Sequence, residues 1–425
     1  MIFFWALIYN IVFIPVAYIG YYIAFLFNDK IRKGVYGRRK TNRELKLYRK
    51  NNPNQKVILV HSASLGEFEQ AKPVIRGLKA VRPDIDIIAS FASPSGYENA
   101  DRIEEVALFI YLPIDTLVRT DKFLVTLKPE KIIFVTYELW PNLVINALRY
   151  KISTYLMSAR IRNDSMKWLP VIKNFFSEIY RCLDHIYAVS EEDKKSMKNL
   201  VGTVDVKVLN LGDTRYDQVV QRAERKMNGK VHKLFENGFV FLGGSVWPQD
   251  VEKLLPALIK LMKEKDSLKI IMAPHEPSSY ALEMLETEFR GAGFTTERLT
   301  GLKGSLASSR VILVDTVGVL PELYHHCDAA FVGGSFRKSI HNVMEPAVAG
   351  VPIFFGPIYH NSREAESLIE KGGAKSCQTS AELYNSIKNI LENKKLYDRM
   401  ASSARNVIIK NLGASARTVK EILES

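Results

Sequence analysis

From Val57 onward, short apolar runs alternate with segments of helical period, and this alternation limits the fold more than any other feature of the chain. Val57–Val60, Ile85–Phe91, Ile132–Val135, Thr154–Met157 and Ile186–Val189 read as strands of a first sheet. Phe239–Leu242, Ile270–Ala273, Val311–Val314, Ala329–Val332 and Pro352–Phe355 read as strands of a second. Intervening stretches such as Glu67–Val81 and Asp250–Lys265 carry helical periodicity, so the expected class is α/β with parallel, doubly wound sheets. The polar stretch 216–237 reads as the crossover between two halves. Two such domains imply a ligand cleft at the carboxyl edges of their strands.

The N-terminus is a different kind of sequence. Met1–Phe27 contains no charged side chain and is long enough to cross a hydrocarbon core of ~30 Å as a helix. It lacks a basic leader and a small-residue cleavage site, so it reads as a retained anchor, with a helix lying in the interface as the alternative. Residues 29–50 then hold ten Lys and Arg against Asp29 and Glu44, a net +8 of the chain's +13. Lys30, Arg32, Lys33, Arg38, Arg39 and Lys40 should keep the body on the cytoplasmic side and attract anionic lipid head groups. Charge this local argues against a nucleic-acid surface. The three cysteines, Cys182, Cys327 and Cys377, are far apart and read as buried thiols of a reducing compartment.

Candidate chemistry falls at strand ends. After Ala329–Val332 come Gly333 and Gly334, then Asn342 and Glu345 opening a short helical segment that ends before Gly350. A helix start suits phosphate, and an ionised carboxylate accepts hydrogen bonds from ribose hydroxyls. Gly243-Gly244-Ser245 reads as a second glycine turn, and Pro274-His275 and Val317-Gly318-Val319 end two further strands. In the first half, His61 ends a strand, Gly66 makes the turn and Glu67 opens the next helix, placed to act as a general base. Glu69 competes with it, and helix-dipole capping is the plainer role for either. Glu138, in Tyr137-Glu138-Leu139-Trp140-Pro141-Asn142, follows the strand Ile132–Val135 and is placed either to stabilise a developing charge or to cap a loop. Ser93-Pro94-Ser95-Gly96 is a further strand-end loop. Asp84-Ile85-Asp86 has the spacing of a metal motif but precedes its strand, so no metal site and no cofactor is expected.

Taken together and in order, HSASLGEFEQAKPVI, ASPSGYE, YLPID, YELWPNL, SARIRNDS, GDTRYD, DTVGVLPELY and VGGS…HNVMEP…GVP…FGP resemble the 3-deoxy-D-manno-octulosonic acid (Kdo) transferases of lipopolysaccharide assembly. The resemblance runs from the apolar N-terminus to about residue 370. It implies a GT-B fold with an N-terminal membrane anchor: anchor 1–28, basic juxtamembrane segment 29–50, acceptor-binding Rossmann-like domain 51–222 and nucleotide-sugar-binding Rossmann-like domain 223–425. It implies inverting, metal-independent transfer of Kdo from CMP-Kdo to a lipid A precursor (lipid IVA) at the inner membrane. Glu67 is then the base, Glu138 and Arg215 assist the transition state, and loops at Pro274-His275, Val317–Val319 and Asn342–Glu345 hold the nucleotide, beside the glycine turn at Gly244-Ser245 read above as able to cradle phosphate. The chain departs from the family pattern at Pro274 (usually Arg), Val319 (usually Glu), Arg215 (usually Lys) and Ser339-Ile340 (usually a glycine pair). Arg337 or Lys338 is the expected replacement for the phosphate-binding arginine. The competing readings are a GT-B transferase with a uridine-nucleotide donor and a non-catalytic, membrane-tethered nucleotide-binding module.

Overall fold

Seven parallel strands form the sheet of the first unit: Val57–Ser62 (β1), Asp86–Phe91 (β2), Leu108–Tyr111 (β3), Lys131–Val135 (β4), Ser153–Ala159 (β5), His185–Ala188 (β6) and Lys207–Asn210 (β7). Their order is β3-β2-β1-β4-β5-β6-β7. The computed structural model describes residues 2–136, 138–161, 169–202, 206–227 and 233–425, apart from the side chain of residue 22. Tyr137, residues 162–165 of the SARIRNDS stretch and residues 228–232 of the expected crossover lie outside the described residues. All six residues of β1 are buried. Leu59, Ile132 and Phe134 pack into one apolar layer and Ile58, Val60, Ile133 and Val135 into the other, so helices cover both faces.

The chain divides into Met1–Gln218 with Leu412–Ser425, and Val219–Asn411. This differs from the expected 51–222 and 223–425 at the C-terminus, because the last helix, Ala414–Glu424, returns to the first unit. Ile422 is fully buried there, and Val419 packs where a Cβ on Gly77 would lie 2.7 Å from its Cγ2. Lys131 Nζ donates to the carbonyl oxygens of Ile422 at 2.5 Å and Ser425 at 2.6 Å.

The basic stretch is not a separate segment. Asp29–Asn51 is one helix of the first unit, capped by Asn28, whose side chain accepts from Lys30 N and Ile31 N. Gly37 lets it approach β3 closely; a Cβ there would fall 2.2 Å from the Tyr111 ring. Thr41 Oγ1 accepts from Tyr111 N at 3.0 Å, and Leu45 joins the core. Arg38 is therefore not a free collar residue. Its guanidinium donates to the carbonyls of Leu112 (2.9 Å) and Ala92 (2.6 Å).

Ile2–Phe27 is helical, with a π-helical turn at Tyr9–Phe13, and is long and apolar enough to cross a membrane. It lies along the first unit. Trp5 packs edge-on against Phe175, Tyr9 Oη donates to Asp115 Oδ2 at 3.0 Å, and the Asn10 and Asn142 amides pair at 2.8 and 3.0 Å. Further along, Arg119 donates to Tyr18 Oη at 2.7 Å. The other face leaves Phe4, Ile11, Val16, Ile19, Ile23 and Leu26 exposed.

The second unit carries Phe239–Val246 (β8), Leu268–Pro274 (β9), Thr296–Arg298 (β10), Val311–Leu313 (β11), Ala329–Val332 (β12), Ile353–Phe355 (β13) and Ala374–Ser376 (β14), parallel in the order β10-β11-β9-β8-β12-β13-β14. Here the expected glycine turn at 243–245 is corrected. Gly243 and Gly244 stay in β8, paired with Met272 and Ala273. They are glycines because neighbours fill the space: a Cβ would meet Met272 Sδ at 2.7 Å and Tyr324 Oη at 2.3 Å.

The C-terminal return gives a direct test. Ile422→Ala should destabilise the first unit by about 2–5 kcal/mol, the usual range for a buried large-to-small change. Hydrogen exchange should locate the lost protection in Leu65–Val81 and β4, with the second unit unaffected; uniform loss across both units contradicts the assignment.

Candidate active site

Parallel strands bring their carboxyl ends to one edge, so Glu67, which follows β1, shares a rim with Glu138, which follows β4, its neighbour in the sheet. The helix after β1 opens at Leu65, two residues before Glu67, with Ser64 as its N-cap, so Gly66 is helical and not the turn. Ser64 Oγ accepts from Glu67 N at 3.4 Å, and Glu67 Oε2 accepts from Ala63 N at 2.5 Å and Ser64 N at 3.1 Å. Such donors favour the ionised carboxylate, yet its pKa is pushed up to about 7, first by burial and then by the charge of Glu138. Capping and perturbed acidity thus coexist in one residue. Glu69 is occupied elsewhere, by Lys72 and by Gln218 Nε2 at 2.7 Å.

The loop that bears Glu138 is anchored at both ends. Thr136, just before the loop, has φ 68°, a left-handed conformation that a β-branched residue rarely adopts. Its Oγ1 lies 3.3 Å from Gln70 Oε1, one turn along the helix from Glu67. On the far side, Trp140 Nε1 donates to His61 Nε2 at 2.8 Å, and the other ring nitrogen meets Ser90 Oγ at 3.0 Å. His61 is fully buried, which pushes its pKa down to about 3 and keeps Nε2 an acceptor. Asp115 caps the helix that follows, accepting from Asn142 N and Leu143 N at 3.0 Å each.

Arg215 follows the edge strand β7, yet its segment returns to the same helix. Thr214 Oγ1 donates to the Gln70 carbonyl at 2.9 Å. Arg215 is oriented by Asp213, with Nε at 3.1 and 3.0 Å from the two carboxylate oxygens and Nη2 at 2.6 Å. Gln70 therefore ties the loops bearing Glu138 and Arg215 to the helix bearing Glu67.

In the second unit, Gly244, Ser245, Pro274 and His275 meet around Trp247. Ser245 takes φ 52° at a bulge after Gly244. Gly333 N donates to Gly244 O at 2.9 Å, and a Cβ on Gly333 would lie 2.1 Å from Ser245 O. Buried Asp250 fixes this crossing by accepting from Trp247 N (2.9 Å), Gly334 N (2.7 Å) and Phe336 N (3.1 Å). Trp247, His275 and His341 stack at 4.3 and 4.4 Å, Trp247 Nε1 donates to His341 Nε2 at 2.9 Å, and the Arg337 guanidinium lies 3.7 Å over the Trp247 ring.

The helix expected to open at Asn342 runs Met344–Ala349, and Asn342 Oδ1 accepts from Met344 N at 3.0 Å. Glu345 sits in its first turn with Arg222 Nη1 at 3.3 Å from Oε1. Val317 is exposed, Gly318 has φ 85°, and Val319 starts the short helix Leu320–Leu323. Asp84 and Asp86 lie at the opposite, amino end of β2, engaged by Arg82 and Tyr48.

Sequence reasoning missed Gln70, Asp115, Trp247, Asp250 and His341 as positioning residues. One signal was present: Trp140-Pro141 and Trp247-Pro248 each follow a strand and open a helix, and in both the indole donates to a histidine.

Among solved structures, the chain resembles UDP-GlcNAc 2-epimerase from Neisseria meningitidis (TM-score 0.64, 14% identity, covering 87% of this chain and 100% of that one). It also resembles a glycosyltransferase from Rickettsia africae (TM-score 0.53, 11% identity, 87% and 97% covered). At these identities the likeness establishes the fold, which is GT-B. Residues 39–218 match the family described as 3-Deoxy-D-manno-octulosonic-acid transferase (kdotransferase). The 3-deoxy-D-manno-octulosonic acid transferase of Rickettsia typhi is 27% identical over 359 residues, covering 84% of this chain and 76% of the relative. That of Aquifex aeolicus is 29% identical over 342 residues, 80% and 87% covered. Fold and relatives define a glycosyltransferase of the GT-B class. Within that class the chain is a homologue of the Kdo transferases of lipopolysaccharide biosynthesis.

The raised pKa of Glu67 carries a stability consequence. The folded state binds its proton more tightly than the unfolded chain, so stability falls as pH rises from the ordinary carboxylate range to about 7. Glu67→Gln should therefore raise the melting temperature above neutrality and leave it unchanged in acid, where the carboxyl is protonated in both states. A pH-independent difference in thermal unfolding would show that Glu67 is not so perturbed.

Proposed function

We propose that the protein transfers Kdo from CMP-Kdo to a lipid A precursor by an inverting displacement in which Glu67 is the general base. The observation that carries this reading is the Glu67 carboxylate itself: buried, at a strand's carboxyl end, with a pKa near 7 and both backbone donors on Oε2. Oε1 takes the proton of the acceptor hydroxyl as its oxygen bonds to the anomeric carbon of Kdo. The bond from that carbon to the phosphate oxygen breaks, and CMP leaves with the electron pair. A base with this acidity matches neutral pH, where general-base catalysis is most effective. Glu138 raises the basicity of Glu67 and, with Arg215, lies where charge develops on the sugar.

The second unit holds the nucleotide. Glu345 accepts from ribose hydroxyls, with Arg222 steadying its other side. The phosphate is met by main-chain N–H groups near Ser245 and by Arg337 and Lys338, which replace the arginine that the family pattern places at 274 and make a metal unnecessary. The apolar helix Ile2–Phe27 holds the enzyme at the cytoplasmic face of the inner membrane. Its polar contacts with the first unit, spread from Tyr9 to Tyr18, favour a helix lying in the interface over one that leaves the body to cross the bilayer.

Glu67→Gln should reduce transfer roughly 10²–10⁴-fold with CMP affinity unchanged by calorimetry; wild-type turnover removes Glu67 from the mechanism. The kcat/KM profile should rise with pH through about 7, and Glu138→Gln should shift this limb to lower pH by removing the like charge. Glu345→Ala should weaken CMP binding by about 1.5–3 kcal/mol, the value of hydrogen bonds to a charged group; an unchanged Kd assigns that turn a structural role. A donor screen with CMP-Kdo and UDP-sugars separates this reading from a uridine-dependent transferase and from a non-catalytic binding module.

A further inference from the structure

A cavity of about 420 Å³ opens in the first unit between Ile2–Phe27, Asp29–Asn51 and Leu117–Leu127. Five cations line it, Arg38, Arg39, Lys46, Arg119 and Lys122, and among the described residues no carboxylate does. The two arginines that reach across it donate to tyrosines rather than to acids: Arg38 Nη1 to Tyr21 Oη at 3.2 Å and Arg119 Nη2 to Tyr18 Oη at 2.7 Å. Arg38 is held below the usual arginine range by burial first, and the charge of Arg119 acts in the same direction. The walls are fixed, since the Gly37–Tyr111 contact and the Thr41 hydrogen bond lock the basic helix to β3. Like charges gathered in a concave, part-apolar site call for an anion.

The remaining wall is apolar. Phe25 and Val35 line it, and Phe25 belongs to the helix whose outer face exposes Ile19, Ile23 and Leu26. A free phosphate would satisfy the cations and leave this wall without a partner, whereas a lipid satisfies both.

We propose that this cavity is a binding site for a phosphorylated lipid, with its phosphate between Arg119, Lys122 and Lys46 and its acyl chain running out along Val35 and Phe25. The proposal rests on the reading that Ile2–Phe27 lies at the membrane surface. Its position is functional as well as local. Arg38 donates to the Ala92 carbonyl, Ser93 N donates to Ala63 O at 3.2 Å, and Ala63 N donates to Glu67. These contacts link the cavity wall to the segment that carries Glu67.

The test uses full-length protein in neutral detergent with phosphatidylglycerol as the probe, read by calorimetric titration and native mass spectrometry. These binding measurements involve no nucleotide and no turnover, so their failure is distinct from failure of the transfer reading. Arg119→Ala combined with Lys122→Ala should weaken binding about tenfold or more. Lys394→Ala combined with Lys395→Ala, an equal charge change on the exposed surface of the second unit, should leave it within about twofold. Val35→Trp, which fills the cavity without altering charge, should weaken binding as the first pair does. Equal loss in both charge pairs, or full binding by Val35→Trp, overturns the site. The lipid A precursor is then added as a competitor. Displacement of phosphatidylglycerol with a raised KM for the precursor in Arg119→Ala/Lys122→Ala assigns the cavity to the acceptor. Binding without displacement and with unchanged KM assigns it to bulk phospholipid, and both sustain the proposal.

Discussion

Parallel pairing is the constraint on which both units depend. A parallel sheet is covered on both faces, so its central strands have no side on which a polar residue can stand in water. Polar chemistry is then confined to strand ends, and helix returns place all carboxyl ends on one edge. β1 is buried throughout, and its first polar neighbours with access to a rim are Ser64 and Glu67. The same holds for β12, buried over its four residues, beyond which Gly333 and Gly334 turn. The site is therefore a consequence of the sheets' architecture more than of any single motif.

This also explains how much of the fold was legible. Ten strands were read from apolar runs, and the four that were not are β3, β7, β10 and β14, the two edges of each sheet; of these only β3, Leu-Phe-Ile-Tyr, is itself an apolar run, and it is a short one. An edge strand has one hydrogen-bonding partner and thinner cover, so its sequence need not be apolar: β7 is Lys-Val-Leu-Asn and β10 is Thr-Glu-Arg. The C-terminal helix was assigned to the wrong unit because its amphipathic pattern specifies a buried face and not which surface buries it. Gly243-Gly244 read as a turn because glycine signals either backbone freedom or a close neighbour, and only the packing of Met272 and Tyr324 decides between them.

At the site, residues that carry charge were legible and residues that hold them were not. Glu67, Glu138 and Glu345 stand out as acids at strand ends. Gln70 does not, although it receives both Thr136 and Thr214, because nothing in a helix pattern marks one glutamine as a junction. Asp250 read as an ordinary helical residue, yet it accepts three main-chain N–H groups in a fully buried position, and this holds the crossing of the loops after β8 and β12. The basic stretch misled in the opposite direction. Ten cations in sequence look like one surface, but a helix divides them among its faces, and Arg38 points inward to carbonyl groups.

The two Trp–His pairs show why histidine is suited to these rims without being charged there. Each indole is donor-only, so its partner nitrogen must be unprotonated. His61 meets this condition through complete burial. His341, less enclosed, is lowered first by burial and then by His275 and Arg337, partly offset by Asp250. A neutral His341 keeps the stack of Trp247, His275 and His341 intact through its Trp247 hydrogen bond; protonation would remove the acceptor and set a charge beside Arg337. His341 thus meets Trp247 as an acceptor, while the Arg337 guanidinium covers the Trp247 ring. Pro274 supplies no charge at the neighbouring strand end, whereas on the far side of the tryptophan Arg337 and Lys338 are exposed cations.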